Sequence, residues 1–221
     1  MNEKNKAKLN TRTDAAKAEA LGEVVSSSIT GLVAECWTIE DSDGMPSVQK
    51  PRFGSFLTVD SEESGIRIYA VVFNVITGPQ DNMHRPSALG LTRERLKAEQ
   101  PHIFSLLKTE VHAVTVGYKS GGTSFNHLPP QPPEVHDFVY RTSNSEIASL
   151  TEGFEFLRLL TTISSVPTDE LLAAAVREAY QARGNDYQFL IEAGQSLSHL
   201  LRSDYDRLLS VLRKIKPATM N

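Results

Sequence analysis

The chain has 221 residues, 40% hydrophobic and 23% charged, with a net charge of −4 and one cysteine. A chain of this length buries roughly 70% of its unfolded surface, enough for a core without staples, and the single Cys36 excludes an internal disulfide and fits a reducing, cytoplasmic compartment. The acidic balance argues against a general nucleic-acid binder, and the longest apolar run, YAVVFNVI (69–76), is too short to span a membrane.

Residues 1–20 carry Lys4, Lys6, Lys8, Arg12 and Lys17 and lack the apolar stretch of a secretory signal, so they read as a flexible basic leader. From Leu21 to residue 142 the signals are those of strands. GEVVSS and GLVAECW form a pair separated by a short polar break near Ser28. EDSDGMPSVQKPR is rich in turn formers and reads as a loop. FGSFLTVDSEESGIRIYAVVFNVI reads as two strands around a polar turn at 61–65. The second alternates at Ile66, Ile68 and Ala70 and then becomes continuously apolar, which predicts burial on both faces near its end.

TGPQDNMHRPSALG is a loop; Met83, His84 and Arg85 within it make it the candidate interaction loop, because loops at barrel ends carry function more often than walls do. TRERLKAEQP predicts one or two helical turns, capped by Thr92 and stopped by Pro101. HIFSLLKTEVHAVTVGY opens ambiguously, and its valines then favour a strand. KSGGTSFNH is a turn or hairpin tip, and EVHDFVYRT is a last short strand.

At Ser143 the period changes. Ser143 and Glu146 have capping-box spacing, and Leu150, Phe154, Leu157, Leu160 and Ile163 predict one amphipathic helix with Gly153 inside it. Pro167 ends it, and TDELLAAAVREAYQAR begins another with Thr168 as cap. DYQFLIEAGQSLSHLL and SDYDRLLSVLRKIK continue the pattern, the second through Tyr205, Leu208, Leu212 and Ile215. The predicted class is α+β: a β domain over 21–142, then three or four helices over 143–216.

The run Pro129, Pro130, Gln131, Pro132, Pro133 falls where strands give way to helices. It contains two P-x-x-P spacings, but no Arg or Lys flanks it and ordered segments lie on both sides. It therefore reads as a structural strut rather than a ligand for a proline-reading partner. Five residues in this conformation reach about 15 Å with little entropy to lose.

The β half resembles the HAS barrel, the small barrel shared by HerA-type ATPases and the catalytic subunits of ATP synthase. Four stretches carry the resemblance in order: GEVVSSSITGLVAEC, FGSFLTVDSEESGIRIYAVVFNVITGP, the Pro101 segment leading to VHAVTVGY, and LPPQPPEVHDFVYRTSNSEIASL. With the helical tail included, the chain is most similar to stand-alone HAS-barrel proteins of cyanobacteria. The resemblance implies an assembly role, since in ring ATPases this barrel helps subunits associate; a protein partner, a second copy or a separate ATPase would be the binding target.

The departure from those ATPases is chemical. A phosphate loop needs G-x-x-x-x-G-K-[ST], and no such string occurs; GYKSGGTS has the wrong order. His84, His102, His112, His127, His136 and His199 are scattered without H-E-x-x-H spacing, and there is no G-x-S-x-G elbow. Glu62 and Glu63 sit in a turn and read as solvated, and Cys36 reads as a small buried hydrophobe. The expectation is a non-enzyme with no cofactor and no metal. The alternative is a barrel that binds a ligand or single-stranded nucleic acid, although Phe53, Phe56, Tyr69 and Phe73 read as core rather than as a stacking platform.

Overall fold

The computed structural model describes residues 19–40, 42, 44, 46–61, 63–80 and 87–216. Within them, β1 (Gly22–Ser28) and β2 (Gly31–Cys36) form an antiparallel pair turning at Ile29 and Thr30. Gly22 is needed there, because a Cβ would lie 1.9 Å from the Glu35 carbonyl oxygen on the facing strand. The stretch expected to be only a loop contains a small separate hairpin, β3 (Thr38–Glu40) and β4 (Pro46–Val48). β5 (Phe56–Ser61), β6 (Ile66–Pro79), β7 (Leu107–Ser120), β8 (Thr123–Phe125) and β9 (Phe138–Arg141) complete the strands.

The sheet closes on itself. β1 pairs with β9, β9 with β5, β5 with β6 and β6 with β7, and β7 returns to β2 through registers from Gly31↔Val114 to Cys36↔Thr109. The result is a closed antiparallel barrel of six strands, with β8 appended to β7. Register shifts between Val24 and Ser26, between Tyr69 and Ala70, and between Val72 and Asn74 supply the curvature that closure requires. β7 and β8 join through Gly121 and Gly122, both at positive φ (56° and 86°), the backbone demanded by a two-residue hairpin turn.

The barrel interior is solid. Val24, Leu57, Val59, Ile68, Ala70, Val72, Ala113 and Val139 are each at most 1% exposed and, together with Leu32 and Ala34 of β2, fill it from all six strands' inner faces. A second core lies outside the wall. Phe56, Tyr69, Val71, Val114 and Val116 face outward from β5, β6 and β7 and pack with helical residues such as Leu150, Phe156, Leu172 and Val176. This two-sided burial accounts for the continuous apolar run in β6. It spans residues 68–72, the middle of the strand and not its end, because beyond Phe73 the strand stays paired with β7 but exposes Asn74, Ile76 and Thr77.

Two short helices lie between β6 and β7: α1 (Arg93–Glu99) and α2 (His102–Ser105). Thr92 caps α1 as its spacing predicts, accepting from the Arg95 N–H. Pro101 both follows α1 and precedes α2, where its missing N–H costs nothing.

The helical region holds five segments: α3 (Asn144–Leu150), α4 (Phe156–Leu160), α5 (Thr168–Ala182), α6 (Tyr187–Leu200) and α7 (Tyr205–Ile215). The single helix expected after Ser143 is broken between α3 and α4. The Thr151 hydroxyl donates back to the Ile147 carbonyl at 2.7 Å, and Phe154 takes a left-handed φ of 59°. Thr168 does not cap α5; Pro167 holds that position and the Thr168 hydroxyl donates to the Ile163 carbonyl at 3.0 Å. Buried residues on almost every side of α5 place it at the centre of the layer. Its acidic start is tied to α7 by Arg207 on Asp169 at 2.5 Å and Lys214 on Glu170 at 2.6 Å. On α7 the buried positions are Leu208, Val211 and Ile215; Tyr205, expected on that face, is 69% exposed.

A polar cluster ties the barrel to the first helix. Arg67 donates to both oxygens of Asp60 at 2.6 and 2.8 Å and to Glu146 Oε1 at 2.6 Å. Ser143 donates to Glu146 Oε2 at 2.7 Å and accepts from the Glu146 N–H, so the predicted capping box is also the far end of this bridge. Burial and the neighbouring Glu146 carboxylate push the Tyr69 hydroxyl up to about 12. For Glu146 itself burial works upward, but the hydrogen bonds from Ser143 and Arg67 outweigh it and hold its pKa below the usual value. A depressed carboxylate stabilises the fold above its unfolded pKa, about 4.3, and loses that contribution as pH falls through the folded value. Glu146→Gln is therefore expected to lower the melting temperature at pH 6, with the gap from wild type closing in melts taken below about pH 4. A gap independent of pH would contradict this role.

Candidate functional site

Asn126, His127 and Leu128, which follow β8, form one wall of an open groove of about 790 Å³. The link through Gly153 and Phe154 into α4 forms the second wall, and Ser196, His199 and Leu200 at the end of α6 form the third. Its surface is mostly apolar, supplied by Leu128, Phe154, Leu157, Leu159 and Leu200, with His127, Arg158, His199 and Glu155 as its charged or titratable members.

Each wall is held by specific contacts. Tyr118 stacks on Phe125 at 4.9 Å, and His127 meets Tyr118 edge-on at 5.3 Å, which fixes the β8 side. The strained Phe154 stacks on Phe189 of α6 at 5.2 Å. The other partner of Phe189 is the Arg183 guanidinium, 4.1 Å from the ring centre. Arg183 also donates to Thr151 Oγ1 at 2.6 Å, to the Ala148 carbonyl and to the Ala179 carbonyl at 3.3 Å. One cation thus ties the end of α3, the end of α5 and the aromatic floor of the groove together. Burial lowers its pKa, opposed by Glu152, Asp186 and Glu192 nearby. At the wall, Asn126 Oδ1 is buried without a hydrogen-bond partner.

The proline run leads directly from this groove. Pro129 and Pro133 are buried, Pro132 is half-buried and Pro130 is exposed, and the chain bends at Pro130 and Gln131. Each P-x-x-P pair therefore has one member packed against its own protein. Beyond the run, the His136 N–H donates to the Val24 carbonyl at 2.8 Å and its ring bonds Glu23 at 3.0 Å, leading the chain into β9.

The residues singled out in sequence are dispersed. Met83, His84 and Arg85 lie outside the described residues, as does Glu62; Glu63 is exposed in its turn. Cys36 is 6% exposed, and burial, against the opposing pull of Arg141 and Lys50, pushes its thiol up to about 11. Only about one molecule in ten thousand then carries the thiolate at neutral pH, which suits packing and not attack. Phe56 and Tyr69 are core as expected, but Phe73 is only half-buried and Phe53 is 38% exposed outside any strand. His127 and His199 share the groove although 72 positions separate them in the chain, a proximity without any sequence signal. Among the described residues, neither histidine is hydrogen-bonded to a carboxylate or hydroxyl, and no group of three His, Cys, Asp or Glu is placed to hold a metal. No helix of the described residues is long and apolar enough to cross a membrane.

Fold and groove together define the class: a closed, side-chain-filled antiparallel barrel with a helical layer on one wall and an apolar groove where the two meet. Compared with known proteins, the chain matches no family model and no curated sequence.

Proposed function

We propose that this chain is a non-catalytic assembly module of the cytoplasm, a barrel of the HAS type without an ATPase core, that docks on a second copy of itself or on a separate ATPase or other protein. The barrel's family rests on the resemblance of the four ordered stretches. The absence of any G-x-x-x-x-G-K-[ST] string supports a role without nucleotide chemistry. The observation that carries the docking role is the groove: apolar walls on ordered elements suit an inserted protein segment. The solid barrel interior counts against a ligand held within it.

The test is affinity capture and light scattering of the full chain beside Leu128→Asp and His199→Asp, both at the groove and away from the buried cores. The expected result is an assembly or named partner lost in both variants while their melting temperatures stay within a few degrees of wild type. Unchanged association in both variants overturns the docking role. ATP turnover by the pure chain, abolished by a substitution in it, overturns the non-catalytic one.

A second reading, binding of single-stranded nucleic acid, is favoured by one observation: the Tyr118, Phe125 and His127 rings form a partly exposed cluster beside Lys119. Fluorescence anisotropy with a labelled oligonucleotide separates the two, since only this reading predicts binding that Phe125→Ala weakens.

A further inference from the structure

Helix α7 divides its charges between two sides. Toward α5, Arg207 is held on Asp169 and Lys214 on Glu170, and the Asp204 carboxylate caps the helix by accepting from the Arg207 N–H. On the outward side, Asp206 and Arg213 are both exposed, and among the described residues their side chains make no ion pair or hydrogen bond. They are seven positions apart, so they lie on the same side of the helix about two turns from each other. The other exposed cations nearby, Arg202 and Lys216, lie beyond the two ends of the helix.

An apolar strip runs beside this charged pair. Tyr205, Leu209 and Leu212 recur at i, i+4 and i+7 on α7, and Tyr187, Ile191 and Gly194 repeat that spacing on α6. The two strips adjoin where Gly194 faces Leu212, since a Cβ at Gly194 would lie 3.5 Å from Leu212 Cδ2. Tyr187, Ile191 and Tyr205 are exposed and Leu209 is half-buried, and none of the four belongs to either hydrophobic core. A single exposed apolar side chain needs no explanation; a strip of four does.

We infer that this face binds a second copy of the chain, α7 against α7 in antiparallel orientation about a twofold axis. The order of the charges selects that partner. In an antiparallel pair centred between Leu209 and Ser210, Asp206 of each copy stands opposite Arg213 of the other, with the Leu209 side chains beside the axis. A parallel pair would set aspartate beside aspartate and arginine beside arginine. Complementarity to itself under a twofold rotation is what an isologous interface requires. Exposed ion pairs add little affinity, so these two fix the orientation while the apolar strip supplies the attraction. An 11-residue helix is about 16 Å long. A contact of that length, with α6 alongside, is at the small end of specific interfaces, so the dimer is weak and concentration-dependent. It does not rest on the groove, which takes Ser196, His199 and Leu200 from another side of α6.

The test is sedimentation equilibrium of the full chain over a wide range of concentration, where the mass is expected to rise from one chain toward two. Tyr205→Ser, Asp206→Arg and Arg213→Asp should each raise the dissociation constant about tenfold, while melts of the dilute proteins show the fold intact. The decisive sample is a mixture. Asp206→Arg chains and Arg213→Asp chains each repel their own kind, yet they should dimerise with each other at close to wild-type strength, because every charge pair between them is again of opposite sign. Leu128→Asp, at the groove, should leave the dimer in place and remove only what the groove adds to it. The inference is overturned if the wild-type chain stays single at every concentration or if the mixture associates no better than its components. It is also overturned if Leu128→Asp abolishes the dimer and Tyr205→Ser does not, which would put self-association in the groove. Should a charge variant fail to fold, the comparison of Tyr205→Ser with Leu128→Asp still decides.

Discussion

Replacing Gly54 by Ala is expected to destabilise the protein by about 3 kcal/mol, the sum of a left-handed backbone penalty near 1 and an overpacking cost of about 2. Gly54 has φ +83° and sits where the chain before β5 touches the central helix α5. Its N–H donates to the Val72 carbonyl at 2.8 Å, which pins the turn to the barrel, and Ser55 accepts from Val72 at 2.9 Å. An added Cβ would lie 2.4 Å from Ala174 Cβ, 2.8 Å from Ala174 C and 2.9 Å from Ala175 N. Two of those three atoms are helix backbone and cannot rotate away. Barrel and helix would have to separate locally, opening the core that Phe56, Leu172 and Val176 share. In a protein of this size the loss corresponds to a fall of roughly 6–12 °C in melting temperature. Gly65→Ala is the matched control: it has φ +65° but nothing within 4 Å of the added Cβ, so it should cost only about 1 kcal/mol. Removing the facing methyl with Ala174→Gly should not rescue Gly54→Ala, because the backbone contacts remain and a helical glycine costs about 1 kcal/mol more. Urea titrations of the four variants check this, and equal losses for Gly54→Ala and Gly65→Ala would show that the close approach carries no energy.

The barrel's local pieces are legible in sequence because half-buried strands must alternate and tight hairpins need positive φ. The β1–β2 pair, the turn between β5 and β6 and the Gly121 and Gly122 hairpin follow from those two constraints, and the Ser143–Glu146 cap follows from the unpaired N–H groups that open a helix. Closure is not legible in the same way: the β2–β7 pairing joins residues 31–36 to residues 109–114, and no local pattern encodes that distance. The β3–β4 hairpin escapes notice because three-residue strands, one exposed and one half-buried throughout, have no period to detect. The broken helix shows the opposite failure. Leu150, Phe154, Leu157 and Leu160 keep helical spacing across the break since α3 and α4 line the same core, so the pattern records which side is buried and says nothing of the backbone between. The groove needs residues 126–128, 153–159 and 196–200 together, which only the packed chain provides. Arg183 likewise reads in sequence only as the last residue of the helical stretch TDELLAAAVREAYQAR, with no hint of its partners Ala148 and Thr151.

Arg183→Met should cost about 2–3 kcal/mol, because it keeps most of the side-chain volume but withdraws charged hydrogen bonds from acceptors that have little water to replace them. Thr151 is 0% exposed and spends its own proton on the Ile147 carbonyl, so its oxygen depends on Arg183 for a donor. The Ala148 carbonyl, at the open end of α3, is in the same position. Arg183→Lys keeps a charge but cannot reach several acceptors with one planar fork, and it should recover less than half of the loss. A double-mutant cycle with Thr151→Val separates this bond from general packing: a coupling of about 1 kcal/mol or more is expected, whereas additive losses would mean that the two side chains do not depend on each other. The consequence extends to the groove. Phe189 lies between the guanidinium and Phe154, so without the cation the left-handed turn at Phe154 loses the stack that holds it. Arg183→Met should therefore weaken association through the groove even though Arg183 does not line it. In heteronuclear NMR spectra, the Gly153 and Phe154 amides should shift or broaden in this variant while those of the barrel interior, such as Ala70 and Ala113, stay in place. Unperturbed Phe154 signals, with stability lost all the same, would confine Arg183 to holding α3 and α5 and leave the shape of the groove to other residues.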